Sequence, residues 1–565
     1  MNTEKLRSEA KKCANDFLEN EKEYMLGFVE AEQQNPLTKT LGETFRKDTG
    51  SGVKMLVSAD KKLCSLYANT LNSDVFDKFT QEILNTIKSG GRIILSGCGS
   101  SGRLNSRVEA SWREAVQILS RENSLISEYE NSVLSLMAGG DYAIIRALES
   151  FEDYISMGKK QVDDFGVDEN DLFVGVTATG ETTCILGSAK EALDRGAKVW
   201  MVVCTNPESV TPKLKRAADV FNNKNTDCIY MPCGAMAVTG STRMQSSSIE
   251  QAVILSALEL VLCLLLSKDI SNKKENLISG FKAMIASLEN ETTVKKMSDF
   301  IEKEQAVYEK GGTVTYFADD YVLDILTDTT ERCPTFSTPA FKPSDRPDLP
   351  SSWAFVKNPS LSTKEAWESA LKRAPRCIEW TTKDYQNLGL PKKDIDKIPP
   401  IDAEALCSFT IGSEPMEDRE NGESLAMWIG YERYIPESFY ECAERYKSQS
   451  AFCLKSDECV AVKTQLCIFE HLSMKLAINT ISTGTMARMG RIYGNFMVYL
   501  GISNKKLIDR SIRIISELTG VSYEEAANEL FYTKLLQEFQ GKNEAVVKET
   551  IDRIKEEQGE ICNNI

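Results

Sequence analysis

Residues 91–103 read G-R-I-I-L-S-G-C-G-S-S-G-R, an apolar run that passes directly into a turn of glycine and serine and then into a helical pattern. A strand ending where a helix begins restricts the chain to folds in which the two alternate. Two turns of the same chemistry follow, T-A-T-G-E-T at 177–182 and T-G-S-T-R at 239–243. Glycines such as Gly99 and Gly180 let backbone N–H groups approach an anion. The hydroxyls of Ser100, Ser101, Thr179, Thr182, Ser241 and Thr242 supply donors, Arg243 adds a cation, and each helix N-terminus adds partial positive charge. One such turn is ordinary loop chemistry. Three after strand-like runs describe a pocket for a phosphate group.

The pattern around these turns sets the fold class. Residues 1–90 read as helices, with Q-N-P-L-T at 34–38 marking a turn. From Gly91 to about Pro232 the runs R-I-I-L-S, L-F-V-G-V-T, V-W-M-V-V-C and C-I-Y-M-P-C alternate with helical patterns. That order predicts a parallel sheet with helices on both faces and ligands at the carboxyl ends of its strands. Long helices are expected from Thr242 to about 310. A second α/β region opens at Gly311 with G-G-T-V-T-Y-F-A-D-D and takes in A-P-R-C-I-E-W-T-T, A-L-C-S-F-T-I-G and C-V-A-V-K-T-Q-L. The stretch 334–363, rich in Pro, Ser and Asp, reads as a long loop and a mobile lid, and 465–560 returns to helices.

Composition excludes several classes. A chain of 565 residues holds two or more domains with sizeable cores. A net charge of −16, with no stripe of Lys and Arg, argues against nucleic acid or an anionic membrane as partner. The apolar run Ala252–Leu266 is short for a membrane span and contains Glu259, so it reads as a buried helix. Sixteen scattered cysteines, none in a C-x-x-C pair, behind a charged opening segment rather than a secretory leader, fit the cytoplasm. His471 is the single histidine, which argues against a zinc site or a Ser-His-Asp triad and leaves it a structural role.

The second α/β region reads as a diverged repeat of the first. G-G-R-I-I-L-S-G at 90–97 matches G-G-T-V-T-Y-F-A at 311–318, and I-E-Q-A-V-I-L-S-A-L after Arg243 matches L-S-M-K-L-A-I-N-T-I at 472–481. The expected organisation is an N-terminal helical segment (1–60), a first domain (61–290, copy one), a diverged second domain (291–500, copy two) and a C-terminal helical domain (501–565). Where copy one has Gly99, Ser100, Ser101 and Gly102, copy two has Asp320, Tyr321, Val322 and Leu323. A carboxylate beside bulky residues cannot cradle phosphate, so one working pocket per chain is expected.

A set of longer motifs carries a family resemblance: Q-N-P-L-T, G-C-G-S-S-G-R-L, M-A-G-G-D-Y-A-I-I-R-A-L-E-S-F-E-D, C-T-N-P, T-G-S-T-R-M, I-S-T-G-T-M-A-R-M-G-R-I-Y-G-N-F-M-V and S-N-K-K-L-I-D-R. In these the chain resembles the sugar isomerase (SIS) superfamily, and within it the N-acetylmuramic acid 6-phosphate etherases and the glucokinase regulatory proteins. The resemblance covers roughly residues 25–290, 311–340 and 465–540. It implies two SIS-type doubly wound parallel-sheet domains in tandem, arranged as the two subunits of a dimer are. The etherases are single-repeat chains that dimerise, whereas the regulatory proteins carry both repeats in one chain.

The resemblance also implies roles. Etherases of this family work with two glutamates. One falls in L-E-S-F-E-D, at Glu152, with Glu149 a neighbouring rival. The other falls in a D-A-S-E-C-P-P-T-like motif, which copy one has lost (Ser111 in V-E-A-S-W-R) and copy two keeps as D-T-T-E-R-C-P-T-F, at Glu331. Glu331 of copy two would then complete the pocket of copy one. Removing lactate from carbon 3 of a 2-acetamido sugar needs a base for the proton on carbon 2 and an acid for the departing oxygen, and two carboxylates of split pKa supply both without metal or cofactor. Asn504, Lys506 and Arg510 in S-N-K-K-L-I-D-R would reach the phosphate or the lactyl carboxylate. Glu181 stands where etherases usually show Arg, which places a negative charge near the phosphate or points outward. The activity implied is lactyl-ether cleavage. The alternatives are a non-catalytic, fructose-phosphate-responsive regulator of a sugar kinase, and an aldose–ketose isomerase. The implied ligand is a sugar phosphate, and the chain would act as an internal pseudo-dimer or a higher oligomer.

Overall fold

Ile93–Gly97 (β1), Val133–Met137 (β2) and Leu172–Val176 (β3) are buried along their whole length, as apolar runs must be when helices cover both faces of a parallel sheet. With Lys198–Val203 (β4) and Thr226–Tyr230 (β5) they form a five-stranded parallel sheet in the order β2-β1-β3-β4-β5. Strand order reverses between β1 and β3, so the loops leaving these two strands diverge and open a crevice between them. These features belong to a computed structural model, which describes residues 3–148, 151–396, 398–542 and 545–559.

Copy two repeats this topology with one strand fewer. Thr313–Phe317 (β6), Ala354–Lys357 (β7), Ser424–Tyr431 (β8) and Ser448–Leu454 (β9) are parallel in the order β7-β6-β8-β9. The register of the repeat is visible in the backbone: Gly91 donates to Thr86, and Gly312 to Val307, both at 2.9 Å. The fold is therefore α/β with two doubly wound parallel sheets in tandem, as expected.

The two copies meet along helices Gln245–Leu265 and Ile468–Arg488, both buried over nearly their full length. Gln245–Leu265 is long and apolar enough to cross a membrane, but 89% of its most apolar window is buried inside the protein. Its Glu259 accepts the backbone N–H groups of Gln465 and Leu466, both at 3.1 Å, and pairs with Lys273 at 2.7 Å. His471, also buried, lies 2.7 Å from Asp324. Helices fill residues 3–88, and the first of them, Thr3–Asn20, packs through Leu6 and Ala10 on Tyr532 near the other end of the chain. The C-terminal helices are Lys505–Thr519, Tyr523–Gln540 and Val546–Glu557.

Several expectations for copy two fail. A-P-R-C-I-E-W-T-T, A-L-C-S-F-T-I-G and C-V-A-V-K-T-Q-L contain no strand, while S-L-A-M-W-I-G-Y does. Ile378 and Trp380 are apolar because they pack on copy one, and Leu406, Phe409 and Ile411 because they are buried in the main core without joining the sheet. The stretch 334–363 is no free lid. It contains β7 and is pinned by Ser337, whose hydroxyl donates to the Tyr499 carbonyl at 2.6 Å. Strand β2, V-L-S-L-M, was not among the strand-like runs read from the sequence.

Candidate functional site

The three Gly/Ser/Thr turns meet at the carboxyl ends of β1 and β3. The first follows β1 and opens helix Gly99–Leu119. Gly99 takes φ +52°, a left-handed conformation that other residues adopt only with strain. A side chain on Gly97 would sit 2.7 Å from the Gly102 nitrogen, and one on Gly102 would sit 2.2 Å from the Met137 sulfur. Strand, turn and helix approach this closely only with glycine at both places. The second turn leads into helix Thr183–Asp194, the third into Gln245–Leu265, and a fourth helix, Lys505–Thr519, begins beside them. Residues at all four starts line one cavity, among them Gly99, Ser100, Ser101, Thr179, Thr182, Ser241, Thr242, Arg243, Lys506 and Arg510. Four helix N-termini at one wall favour an anion there.

Glu152 and Glu331 line the same cavity, one from each copy. Glu331 stands just before the short helix Arg332–Phe336. Its carboxylate is bound by Arg103, whose other donors hold the carbonyls of Ala143 (2.8 Å) and Ile144 (3.0 Å). Glu152 is bound by Lys506 and accepts from the Asn504 side-chain nitrogen at 3.2 Å. Each carboxylate therefore faces a cation supplied by a distant part of the chain. Glu149 lies outside the described residues.

All three expected cations are otherwise engaged, Arg243 with Asp328 and the other two as follows. Lys506 is committed to Glu152 and lies 3.7 Å from Glu181. Burial works to lower its pKa, but the two carboxylates outweigh burial and raise it. Arg510 forks onto Glu32, which Arg513 also holds at 2.7 Å. Burial alone would raise the Glu32 carboxyl; the two arginines overcome it and bring it down to about 2. Gly180 and Asn504 are not among the residues that line the cavity. Gly180 makes the turn at φ +68°, and Asn504 caps its helix by accepting from the Leu507 N–H at 2.8 Å. Glu181 points inward, not outward. It is buried, accepts from Thr179 at 3.2 Å and pairs with Arg216 at 3.3 Å, so its charge is largely compensated.

Sequence reasoning missed a second layer. Ser101 donates at 3.1 Å to Glu250, a buried carboxyl beneath the first turn that burial pushes well above the ordinary carboxylate range. Arg243 is bound to Asp328 of copy two and donates to Thr483 at 2.9 Å. Its own carbonyl receives Lys475 at 3.0 Å and Asn479 at 2.9 Å. Asp328 opens the D-T-T-E motif and Arg103 closes G-S-S-G-R, so both had a signal in the sequence. Glu32 and Glu250 had none beyond lying near a motif.

A doubly wound sheet with an anion-favouring cavity at its switch point, lined by carboxylates from both halves, defines the class of α/β site. Residues 76–193 match the family described as the glucokinase regulatory protein N-terminal SIS domain. Over those residues the chain is similar to an SIS domain. Among curated relatives, an N-acetylmuramic acid 6-phosphate etherase of Lactococcus lactis is 26% identical over 275 residues, 47% of this chain and 84% of that protein. One from Petrotoga mobilis is 28% identical over 248 residues, 44% of this chain and 74% of that protein. Another from Aliivibrio fischeri is 32% identical over 209 residues, 37% of this chain and 62% of that protein.

Proposed function

We propose that this chain binds an amino-sugar phosphate and cleaves the lactyl ether of N-acetylmuramic acid 6-phosphate, giving N-acetylglucosamine 6-phosphate and lactate. The observation that carries this reading is one cavity in which four helix N-termini meet two carboxylates, Glu152 and Glu331. The names of the relatives agree with it. The sugar phosphate sits against the turns at Gly99–Ser101, Thr179–Thr182 and Ser241–Arg243, where backbone N–H groups, hydroxyls and helix ends hold the anion without a free lysine or arginine. One glutamate takes the proton from carbon 2 while the other protonates the departing lactyl oxygen as the carbon 3–oxygen bond breaks. Water then adds across the double bond, its hydroxyl to carbon 3 and its proton to carbon 2, so that the net change is hydrolysis. Lys506 and Arg103 hold the two carboxylates in place and balance their charge.

The same reading divides the chain into 1–60, 61–290, 291–500 and 501–565, with both copies contributing to a single site. Incubation with N-acetylmuramic acid 6-phosphate should release lactate in the absence of added metal; a chain that binds the sugar phosphate and releases none is not an etherase. The match over residues 76–193 favours a second reading, a sensor whose sugar-phosphate occupancy controls a sugar kinase. Fructose 6-phosphate binding without turnover, together with capture of a sugar kinase, would select it.

A further inference from the structure

After helix Thr363–Leu371 the chain leaves copy two and crosses the surface of copy one. Arg373 reaches Glu109 at 3.0 Å and Asp141 at 2.5 Å, and Arg376 binds Glu109 and donates to the Ser135 carbonyl at 3.1 Å. Backbone bonds lock the crossing: the Arg376 N–H donates to Asp141 at 2.5 Å, and the Arg376 carbonyl accepts from the Asp141 N–H at 3.0 Å. The strap then grips the segment that carries Glu152, on both sides of it. Phe151, fully buried, stacks on Trp380 (6.2 Å, 17°) and takes Tyr385 edge-on (6.4 Å, 86°). The Tyr154 hydroxyl donates to Asp394 at 2.7 Å, and Ser156 to the Leu388 carbonyl at 2.9 Å. Trp380 is itself anchored by its ring N–H to Asp164 at 2.6 Å.

Glu152 is thus flanked by one residue sealed in an aromatic cluster and, two residues on, by another tied by a hydrogen bond, with all three partners coming from copy two. We infer that residues 373–396 are a positioning strap for Glu152, and that Trp380 and Tyr385 act on the reaction through Phe151 without touching substrate. The inference rests on the etherase reading for its kinetic consequence. A displacement of about 1 Å in a reacting group lowers rate on the order of 100-fold while leaving binding elsewhere intact. Copy two would then contribute to copy one's chemistry twice, through Glu331 directly and through this strap.

The full chain tests it. Trp380→Ala should lower kcat for lactate release by roughly 10–100-fold with KM within about twofold of wild type. Trp380→Phe, which keeps an aromatic face, should recover most of that loss. In a Glu152→Gln background Trp380→Ala should add nothing, because both act on one group. A full multiplicative loss in that background, or an effect on KM alone, overturns the strap. Tyr154→Phe covers the case in which Trp380→Ala fails to fold: it removes the Asp394 bond, leaves no cavity, and should lower kcat at unchanged melting temperature. Hydrogen exchange supplies a readout free of activity. Residues 151–156 should exchange faster in Trp380→Ala while 97–104 stay protected, and unchanged exchange at 151–156 overturns the strap. A wild-type chain that releases no lactate defeats the etherase reading instead, and the exchange result then decides the strap by itself.

Discussion

Copy one and copy two share a strand order but contribute different residues to the lining of one cavity. The turn after β1 is built from Gly99, Ser100 and Ser101 and opens a helix of 21 residues. Its counterpart after β6 runs through Asp319, Asp320 and Tyr321 into a helix of 8 residues, Val322–Thr329. Ala318 stands where copy one has Gly97, so the close approach of strand to helix is no longer available. Copy two has also lost a fifth strand and gained the strap. What it keeps is what copy one lacks: Glu331 and the Asp328 that anchors Arg243. Decay on one side of a duplicated fold is tolerable where the other side supplies the missing group.

The comparison breaks most visibly if Glu331 is idle. Glu331→Gln and Glu152→Gln should each lower the rate of lactate release by roughly 10²–10⁴-fold with little change in sugar-phosphate affinity. The double variant should be little worse than either alone. Full activity in Glu331→Gln would reduce copy two to scaffold.

A second test concerns the ion cluster that ties copy one's cradle to helix Lys505–Thr519. Glu32 lies at about 2 in the folded chain against an ordinary value of 4.5, so its pairing with Arg510 and Arg513 stabilises the fold fully above the ordinary carboxylate range and less as pH falls toward 2. The contribution is about 3 kcal/mol at neutral pH, of which roughly 2 is lost by pH 3. Denaturant unfolding should show Glu32→Gln less sensitive to acid than wild type between these conditions. Equal acid sensitivity would mean that the pairing contributes nothing.

The cradle itself gives a smaller effect. Gly97→Ala forces a methyl group against the Gly102 nitrogen and should destabilise the fold by about 1–3 kcal/mol while weakening sugar-phosphate binding. Smallest of all, Val322→Ala in the equivalent turn of copy two should leave sugar-phosphate affinity unchanged in calorimetry. Equal losses of affinity at Gly97 and Val322 would mean two pockets rather than one.

Copy one was legible because its strands are short apolar runs punctuated by glycine, and because each Gly/Ser/Thr turn has a chemistry of its own. Copy two was less legible for a physical reason. Where a turn carries no pattern of glycine and hydroxyl residues, only packing constrains it, and packing accepts many sequences. Apolar stretches such as C-I-E-W then mimic strands although their partners are aromatic rings on another domain. The placement of the site was readable where a residue type marks a turn or a motif, as at Gly99 and Glu331. It was not readable where charge is balanced at long range, as between Glu32 and Arg510 or Lys506 and Glu152, separated by 478 and 354 positions.

Gly99 and Glu331 belong to one polypeptide, and this changes what dilution does to the site. In a two-chain arrangement the meeting of cradle and carboxylate is a bimolecular equilibrium, and the occupied fraction of complete sites falls with protein concentration. Here the encounter is intramolecular, with an effective concentration set by the connecting chain. Specific activity should therefore stay level down to concentrations at which separate halves would drift apart. Because the two halves are encoded separately, a substitution in one is no longer imposed on the other.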